Sequence, residues 1–198
     1  SPTHIKPSRK KTLSDQKERK LSLEIYPTSL TISESSHTTA GQTAVLSDED
    51  RIDIGRWGEE FVFRYLKEKY KKEYGNKKYV EIEENEGKMV LKRNGHVLVE
   101  IHWLNYEEDK MKEYDIRVVE DGKEKYIEVK STSGDEKDCF DISLNQLVFA
   151  MKHSNDYYIY RVYKAGTKEP KLDIFENPYE LYQEGKLKIK IESLKICI

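Results

Sequence analysis

Apolar side chains recur at helical spacing along the segment 47–75, at Ile54, Trp57, Phe61, Val62, Tyr65 and Leu66. This spacing places them on one face of a helix. Ser47 and the acidic residues that follow it are typical of a helix start, because a serine can cap the first N–H groups and acids suit the positive end of the helix dipole. We therefore predict a helix that begins at Ser47 and ends near Gly75 and Asn76.

Alternating and short apolar runs predict strands in the rest of the chain. Asn94-Gly95 and Asp121-Gly122 are strong signals for tight hairpin turns. In chain order, we expect strands at 79–83, 89–92 and 97–104, a hairpin over 114–131, and strands at 156–165, 171–175 and 187–196.

A second helix is predicted within 140–154, FDISLNQLVFAMKHS, and a short helical or turn segment at 178–182. The second helix carries an apolar stripe that we expect to face the core, formed by Leu144, Leu147, Val148 and Met151. This order of helices and strands indicates a mixed α/β domain with helices packed on a sheet.

The hairpin places charged residues among apolar ones. If Asp121 and Gly122 are the two central turn residues, counting back along the strands sets Asp115 opposite Glu128. Side chains alternate along a strand, so Lys130 shares the face of Glu128. The other face is apolar and points into a core, with Ile116, Val118, Ile127 and Val129.

Two carboxylates directly opposite each other repel unless a positive charge lies near. A divalent cation would supply that charge, because carboxylate oxygens are the ligands that Mg²⁺ prefers. Lys130 would then lie beside the metal, where it could orient a water or stabilise developing negative charge. The alternative is an ordinary solvated strand face, in a chain of which 36% is charged.

The first helix offers a further carboxylate. Glu59 borders the predicted buried stripe, whereas Glu60 falls on the solvent side, so Glu59 is the better candidate to reach a site. The alternative is a surface helix carboxylate. Gly55 and Gly58 each cost the helix about 1 kcal/mol relative to alanine, and they could permit close approach of the helix to the sheet or to a phosphate.

Ser143 and Gln146 at the start of the second helix fit a capping box. From the first helical turn, Gln146 could also reach a site at the helix end. We carry both interpretations forward.

The chain has 198 residues and a net charge of −2, which argues neither for nor against a nucleic-acid partner. No apolar run approaches membrane-spanning length, and no secretory signal pattern is present. The two cysteines form no metal-ligand spacing. Since the chain opens on Ser1 rather than Met, we expect it to be part of a larger polypeptide.

Residues 1–47 are rich in Ser, Thr, Lys and Pro and show no sustained apolar period. We predict a disordered, locally basic tail or linker over 1–47 and one folded domain over 48–198. The basic residues could form a nuclear-localisation or phosphate-binding patch, or a solvated linker. If they form a nuclear-localisation patch, we expect an intracellular, nuclear location.

The order of Glu59, Asp115 and the segment IEVKST resembles the PD-(D/E)XK nuclease superfamily. The resemblance is closer to the DUF3883 family, the C-terminal domain of plant NO VEIN-like proteins. Its matching pieces cover most of 51–165: GRWGEE at 55–60, HWLN at 102–105, YDIRV at 114–118, YIEVKST at 126–132, FDISLNQ at 140–146 and DYYIYRV at 156–162.

This resemblance implies a restriction-endonuclease-like fold, in which helices flank a central mixed sheet. It implies that Asp115 and Glu128 bind Mg²⁺, or Mn²⁺, that Lys130 assists the attacking water, and that Glu59 completes the metal site. Gln146 stands where the family often has glutamate, so metal affinity or water activation could be weaker here. Tyr114 replaces the proline that precedes the superfamily's aspartate.

The function implied is metal-dependent hydrolysis of nucleic acid, with DNA expected rather than RNA and no membrane partner. Related nucleases often act as dimers, so a homodimer stays open. Two alternatives on the same fold also stay open: a nucleic-acid-binding module without cleavage, and a protein-interaction module that uses the tyrosine-rich segment 156–163.

Overall fold

Seven strands form one sheet at the centre of the structure, a computed structural model that describes residues 47–135 and 139–190. The strands are β1 (Val80–Glu84), β2 (Lys88–Arg93), β3 (His96–Trp103), β4 (Ile116–Glu120), β5 (Lys123–Ser131), β6 (Tyr157–Tyr163) and β7 (Lys171–Glu176). Three α-helices accompany them in the described residues: α1 (Asp48–Tyr70), α2 (Leu144–Lys152) and α3 (Pro178–Gln183). The domain is therefore mixed α/β, as predicted.

Strand order in the sheet follows chain order, from β1 to β7. Neighbouring strands are antiparallel, except that β5 and β6 are parallel. A parallel pair needs a crossover connection, and the chain supplies one that contains α2. The sheet is therefore mixed because of this one crossover.

The predicted first helix is confirmed. The Ser47 hydroxyl accepts from the Asp50 backbone N–H, and the Asp50 carboxylate accepts from the Ser47 N–H, which completes a capping box. After α1 the helix continues as a π-helical turn, Lys71–Gly75, so it ends at the predicted glycine.

The two faces of the sheet pack against different helices. On one face, the apolar side of α1 and buried side chains of β2 to β7 form the larger core. On the other face, α2 and α3 cover a smaller cluster around Tyr157, Ile159 and Phe175. No described helix is both long enough and apolar enough to cross a membrane.

The predicted register of the β4–β5 hairpin is confirmed. Glu120 pairs with Lys123 and Ile116 with Ile127. The four apolar residues assigned to the core face are buried, namely Ile116, Val118, Ile127 and Val129. The ladder stops at Ile116, so Asp115 lies one residue outside it rather than in a regular pair with Glu128.

Two predictions require correction. The apolar stripe of α2 does not face the core, since Leu144, Val148 and Met151 are all exposed. Phe149 and Ala150 pack inwards instead, where the Phe149 ring contacts Tyr126 and Tyr157. An aromatic ring can bury a large apolar area in such a position. The predicted last strand, 187–196, is absent over 187–190, and its remainder lies outside the described residues. Residues 1–46 of the tail predicted over 1–47 also lie outside them, and Ser47 is the N-cap of α1.

Candidate active site

A cleft of about 580 Å³ opens at the end of the sheet where β4 begins. Its walls come from three parts of the chain: the first turns of α1, the segment 105–115 that connects β3 to β4, and the start of α2. Glu59, Asp115 and Gln146, all predicted from the sequence, line this cleft. The fold therefore brings together residues that are far apart in the chain.

The backbone and an amide hold the Asp115 carboxylate. The Val129 N–H donates to Oδ2 at 2.7 Å. The Asn105 side-chain amide donates to Oδ1 at 2.9 Å. The Asp115 N–H in turn donates to the Ile127 carbonyl at 2.9 Å. These contacts fix the Asp115 carboxylate against β5, the strand that carries Glu128.

Glu128 is buried, with only 3% of its surface exposed. Its Oε1 accepts from the Lys130 ammonium at 2.9 Å and from the Gln146 amide at 2.6 Å. Glu128 and Lys130 share one face of β5, as the alternation along the strand predicted. The ordinary solvated-face alternative is wrong for this part of the hairpin, because Glu128 is almost fully buried.

The capping-box interpretation of Gln146 is confirmed. Its backbone N–H donates to the Ser143 hydroxyl at 3.1 Å, and its Oε1 accepts from the Ser143 N–H at 3.0 Å, which completes the capping box. The same side chain reaches the site, since its Nε2 donates to Glu128 and its Oε1 lies 3.3 Å from Lys130 Nζ. The helix cap therefore also holds Glu128 and Lys130 in position.

Glu59 comes to the site from α1. Its Oε2 accepts from the Trp103 indole N–H at 2.7 Å, and the Asn105 side chain lies close enough to lower the pKa of Glu59. Glu60 instead forms an ion pair with Arg64 one turn along the helix. The helical pattern therefore predicted correctly that Glu59, and not Glu60, lies at the cleft.

Burial and mutual repulsion perturb all three carboxylates. Burial raises the pKa of Asp115 well above its ordinary value of 3.8, and the charges of Glu128 and Glu59 raise it further. Burial also raises the pKa of Glu128 and that of Glu59 above 4.5. For Glu128, the Lys130 charge opposes this rise. Three neighbouring carboxyl groups that resist ionisation are typical of a functional site.

The residues present fit a divalent cation. Glu128 Oε2 is buried and has no hydrogen-bond partner among the described residues, which is costly for a carboxylate oxygen unless another group binds it. Within the same residues, no three Asp, Glu, His or Cys side chains approach closely enough to enclose a metal by themselves. Mg²⁺ does not need such a cage, since one or two carboxylates with waters and phosphate oxygens suffice.

Sequence reasoning missed Asn105. It is the last residue of the quoted piece HWLN, which was given no role. Besides the contacts to Asp115 and Glu59, its Oδ1 accepts from the Lys110 N–H, and its carbonyl accepts from Arg56. In the β3–β4 ladder Trp103 pairs with Ile116. The residues that follow Trp103 therefore lie beside Asp115, which precedes Ile116. That register was the missing signal.

Arg161 was also missed. It is 2% exposed, pairs in register with Lys130 across the parallel β5–β6 ladder, and lies between the rings of Phe140 and Tyr163. Its Nε and Nη2 have no hydrogen-bond partner among the described residues. Burial lowers the pKa of the Arg161 guanidinium below its ordinary value. It adds a second cation to the face that carries Glu128.

The tyrosine-rich segment does not form an exposed aromatic patch. It is β6, an interior strand of the sheet, and Tyr157 and Tyr160 are buried while Tyr158 and Tyr163 are half-buried. The structure therefore has no exposed tyrosine patch at 156–163 that would support a protein-interaction surface there.

The raised pKa values lead to a prediction for the metal-free protein. A folded carboxylic acid with a raised pKa keeps its proton longer than the unfolded chain does, so stability declines as pH rises above the ordinary values of 3.8 and 4.5. Asp115→Asn removes one such group, so we expect the free energy of unfolding to fall less steeply with pH than in the wild type. Urea unfolding in EDTA between about pH 4 and about pH 8 measures it.

Asp53→Asn on the exposed side of α1 is the matched control, and it should leave the pH dependence of stability unchanged. Equal slopes for the wild type and Asp115→Asn would contradict the assignment of Asp115 as a buried, ionisation-resistant acid.

Comparison with known proteins identifies the family. The family model described as "Protein NO VEIN, C-terminal" matches residues 58–175, which is more than half of the chain, so the chain belongs to this family. Protein NO VEIN of Arabidopsis thaliana is 28% identical over 161 residues, a match that covers 75% of this chain and 5% of that protein. The chain therefore corresponds to a small part of a much longer relative. No solved structure matches.

Proposed function

We propose that this member of the NO VEIN C-terminal family is a metal-dependent nuclease that hydrolyses phosphodiester bonds in DNA rather than RNA. The observation that supports this most directly is the cleft lined by Glu59 and Asp115, with the buried pair of Glu128 and Lys130 beside it. A buried cluster of like charges costs stability unless it has a function or a counter-charge.

In this proposal Asp115 and Glu128, with Glu59, hold Mg²⁺ or Mn²⁺. The bound ion supplies Lewis-acid stabilisation of the phosphate and a more acidic water. Asn105 and the Val129 N–H keep the Asp115 carboxylate in place, so little reorganisation is needed when the substrate arrives.

Lys130 has two roles in the proposed reaction. Its ammonium lies 2.9 Å from Glu128 Oε1, so it can donate to a water that attacks from this side of the cleft and can offset the charge that develops on the phosphate. Gln146 orients both side chains through its amide. Gln146 itself is neutral, so it is a positioning residue rather than a base.

The finer fold assignment that accompanies this function is restriction-endonuclease-like. Its support is the order of elements around the cleft. An antiparallel hairpin, β4–β5, carries the acids and the lysine, a crossover through α2 leads to a parallel neighbour, and a helix before the sheet supplies Glu59.

A second candidate function is nucleic-acid binding without cleavage. It is favoured by the hydrogen bonds that already engage Glu128 Oε1, Asp115 and Glu59 with protein donors. A cation would have to displace or share these contacts. In that case Lys130 and the start of α2 would contact phosphates, and removal of metal would leave binding unchanged.

The test is cleavage of labelled single-stranded DNA, double-stranded DNA and RNA by the purified chain with Mg²⁺, Mn²⁺ or EDTA. We expect cleavage of DNA that requires the metal and that Glu128→Gln reduces by about 10²-fold or more. Glu124→Gln changes a glutamate on the same strand outside the cleft, and it should cleave like the wild type.

Retention of DNA in EDTA with no cleavage under any condition would favour the binding module. Cleavage that survives both EDTA and Glu128→Gln would place the activity in a contaminant or elsewhere on the chain, and the proposed site would be wrong.

A further inference from the structure

We propose that the cleft takes a single, unstacked strand and holds one of its bases against Ile52 and Met111. This rests on the proposed nuclease function, since it names the substrate form that the same site would accept. The inference comes from two exposed apolar side chains at the opening of the cleft and from the charges that line it.

Two large apolar side chains stand exposed at the cleft. Ile52 on α1 is 70% exposed and Met111 in the β3–β4 connection is 88% exposed, and both line the same cleft as Glu59 and Asp115. Single exposed apolar residues are common on proteins. Here, however, two of the most exposed ones, from separate elements, lie on one opening that leads to the candidate catalytic residues.

Met111 is held in its exposed position by local structure. Its φ of 50° lies in the left-handed region, which non-glycine residues rarely adopt. The Met111 N–H donates to Asp109 Oδ1 at 2.7 Å, and the Lys110 N–H donates to Asn105 Oδ1 at 3.1 Å. Asn105 in turn binds Asp115. One short segment thus links the exposed methionine to the candidate metal ligand.

The charges at the cleft do not suit a duplex. Its lining includes four acidic residues, Glu59, Asp109, Glu113 and Asp115, of which Glu59 and Asp115 are the proposed metal ligands. The other two are matched by two basic residues, Arg56 and Lys112, so the lining has no excess of positive charge. The Arg56 guanidinium already donates to the carbonyls of Asn105 and Tyr106 and lies 4.4 Å from the Trp103 ring centre. Duplex DNA is bound chiefly by neutralising its closely spaced phosphates, and this lining provides little for that.

A contact to a base adds affinity without neutralising a phosphate, because the base carries no charge. In a duplex the faces of the bases are stacked inside, whereas in a single strand they are open to apolar side chains. A cleft of about 580 Å³ falls in the size range that encloses one small-molecule-sized group. One nucleotide fits both parts of the cleft. Its base would rest on Ile52 and Met111 at the apolar opening, and its phosphate would meet the metal held by the carboxylates at the bottom.

The test uses the full chain and one oligonucleotide sequence in several forms: single-stranded, fully paired, and single-stranded with one abasic residue placed in turn at each position around the cut. Cleavage is measured with Mg²⁺ as kcat/KM. We expect at least about tenfold preference for the single strand, and about a tenfold loss when the abasic residue replaces the contacted base.

The variant Ile52→Ala/Met111→Ala should show a similar loss on the intact strand and little further loss on the abasic strand, because the contact is already gone. Val97→Ala removes an exposed apolar side chain of β3 outside the cleft, and it should behave like the wild type on every substrate. Urea unfolding checks that all variants are folded.

Binding of the same oligonucleotides is measured in parallel by fluorescence anisotropy with Ca²⁺ in place of Mg²⁺. Abasic sensitivity in binding without any cleavage would sink the nuclease proposal and leave the base contact standing. Equal cleavage of duplex and single strand, with no abasic position that matters, would overturn the inference while leaving the nuclease intact. Equal binding of all forms would overturn it as well.

Discussion

Lys130→Met should reduce single-turnover cleavage by about 10²- to 10³-fold without loss of metal binding. A preorganised charged donor at a reacting phosphate is worth this much in rate. Methionine keeps the length and apolar stem of lysine but removes the ammonium that lies 2.9 Å from Glu128 Oε1. The measurement is the cleavage rate at saturating enzyme, together with a Mg²⁺ titration.

The metal titration separates a catalytic role from a structural one. Because the Lys130 charge lies beside Glu128 and favours its ionised form, it also repels a cation that binds the same carboxylate. Its removal should therefore leave Mg²⁺ affinity unchanged or higher at a pH where the acids are ionised. Lys123→Met, an exposed lysine at the start of β5, is the matched control and should cleave normally.

Two outcomes would contradict this assignment. Full cleavage by Lys130→Met would show that the ammonium only neutralises Glu128. Loss of both Mg²⁺ binding and cleavage would show that Lys130 acts by holding the site together, as Gln146 does.

The hairpin shows why part of this site could be predicted from the sequence. A two-residue turn at Asp121-Gly122 fixes the pairing of both strands, so the alternation that sets Glu128 and Lys130 on one face followed from counting alone. The same applies to α1, where Ser47 marks the start and the apolar period separates Glu59 from Glu60. In both cases the information is local in the chain.

Asn105 and Arg161 could not be predicted because their positions depend on strand pairs that no tight turn specifies. The β3–β4 pair encloses a connection of twelve residues, 104–115, and the β5–β6 pair is a parallel crossover whose register is set by packing. The exposed stripe of α2 was predicted wrongly for a related reason. Periodicity finds an apolar face, but here Phe149, which lies off that face, is the residue that packs on the sheet.

Gly58→Ala should destabilise the protein by about 2 kcal/mol, within the range for overpacking a core. α1 crosses β5 so closely that a Cβ on Gly58 would lie 1.7 Å from Ser131 Oγ and 2.8 Å from Ser131 Cβ. Rotation of the hydroxyl could relieve the first contact. It cannot relieve the second, because Cβ is fixed to the backbone, so the helix or the strand must move. Urea unfolding in EDTA measures the change.

Gly55→Ala is the matched control, one turn earlier on the same helix. A Cβ there meets nothing within 4 Å, so the better helix propensity of alanine should stabilise the protein by up to about 1 kcal/mol. The two substitutions are chemically identical and should change stability in opposite directions. If Gly58→Ala were as stable as the wild type, the close approach of α1 to β5 would be wrong.

A double-mutant cycle tests whether the packing of α1 on β5 also positions Glu59 at the cleft. Ser131→Gly removes both clashing atoms, so Gly58→Ala/Ser131→Gly should be more stable than the sum of the single changes predicts. Glu59 follows Gly58 directly, so a helix pushed away from β5 also carries the Glu59 carboxylate away from Trp103 and the cleft. We therefore expect Gly58→Ala to weaken Mg²⁺ binding and cleavage, and the double variant to restore both in part. Restored stability without restored cleavage would separate the packing of α1 from the positioning of Glu59.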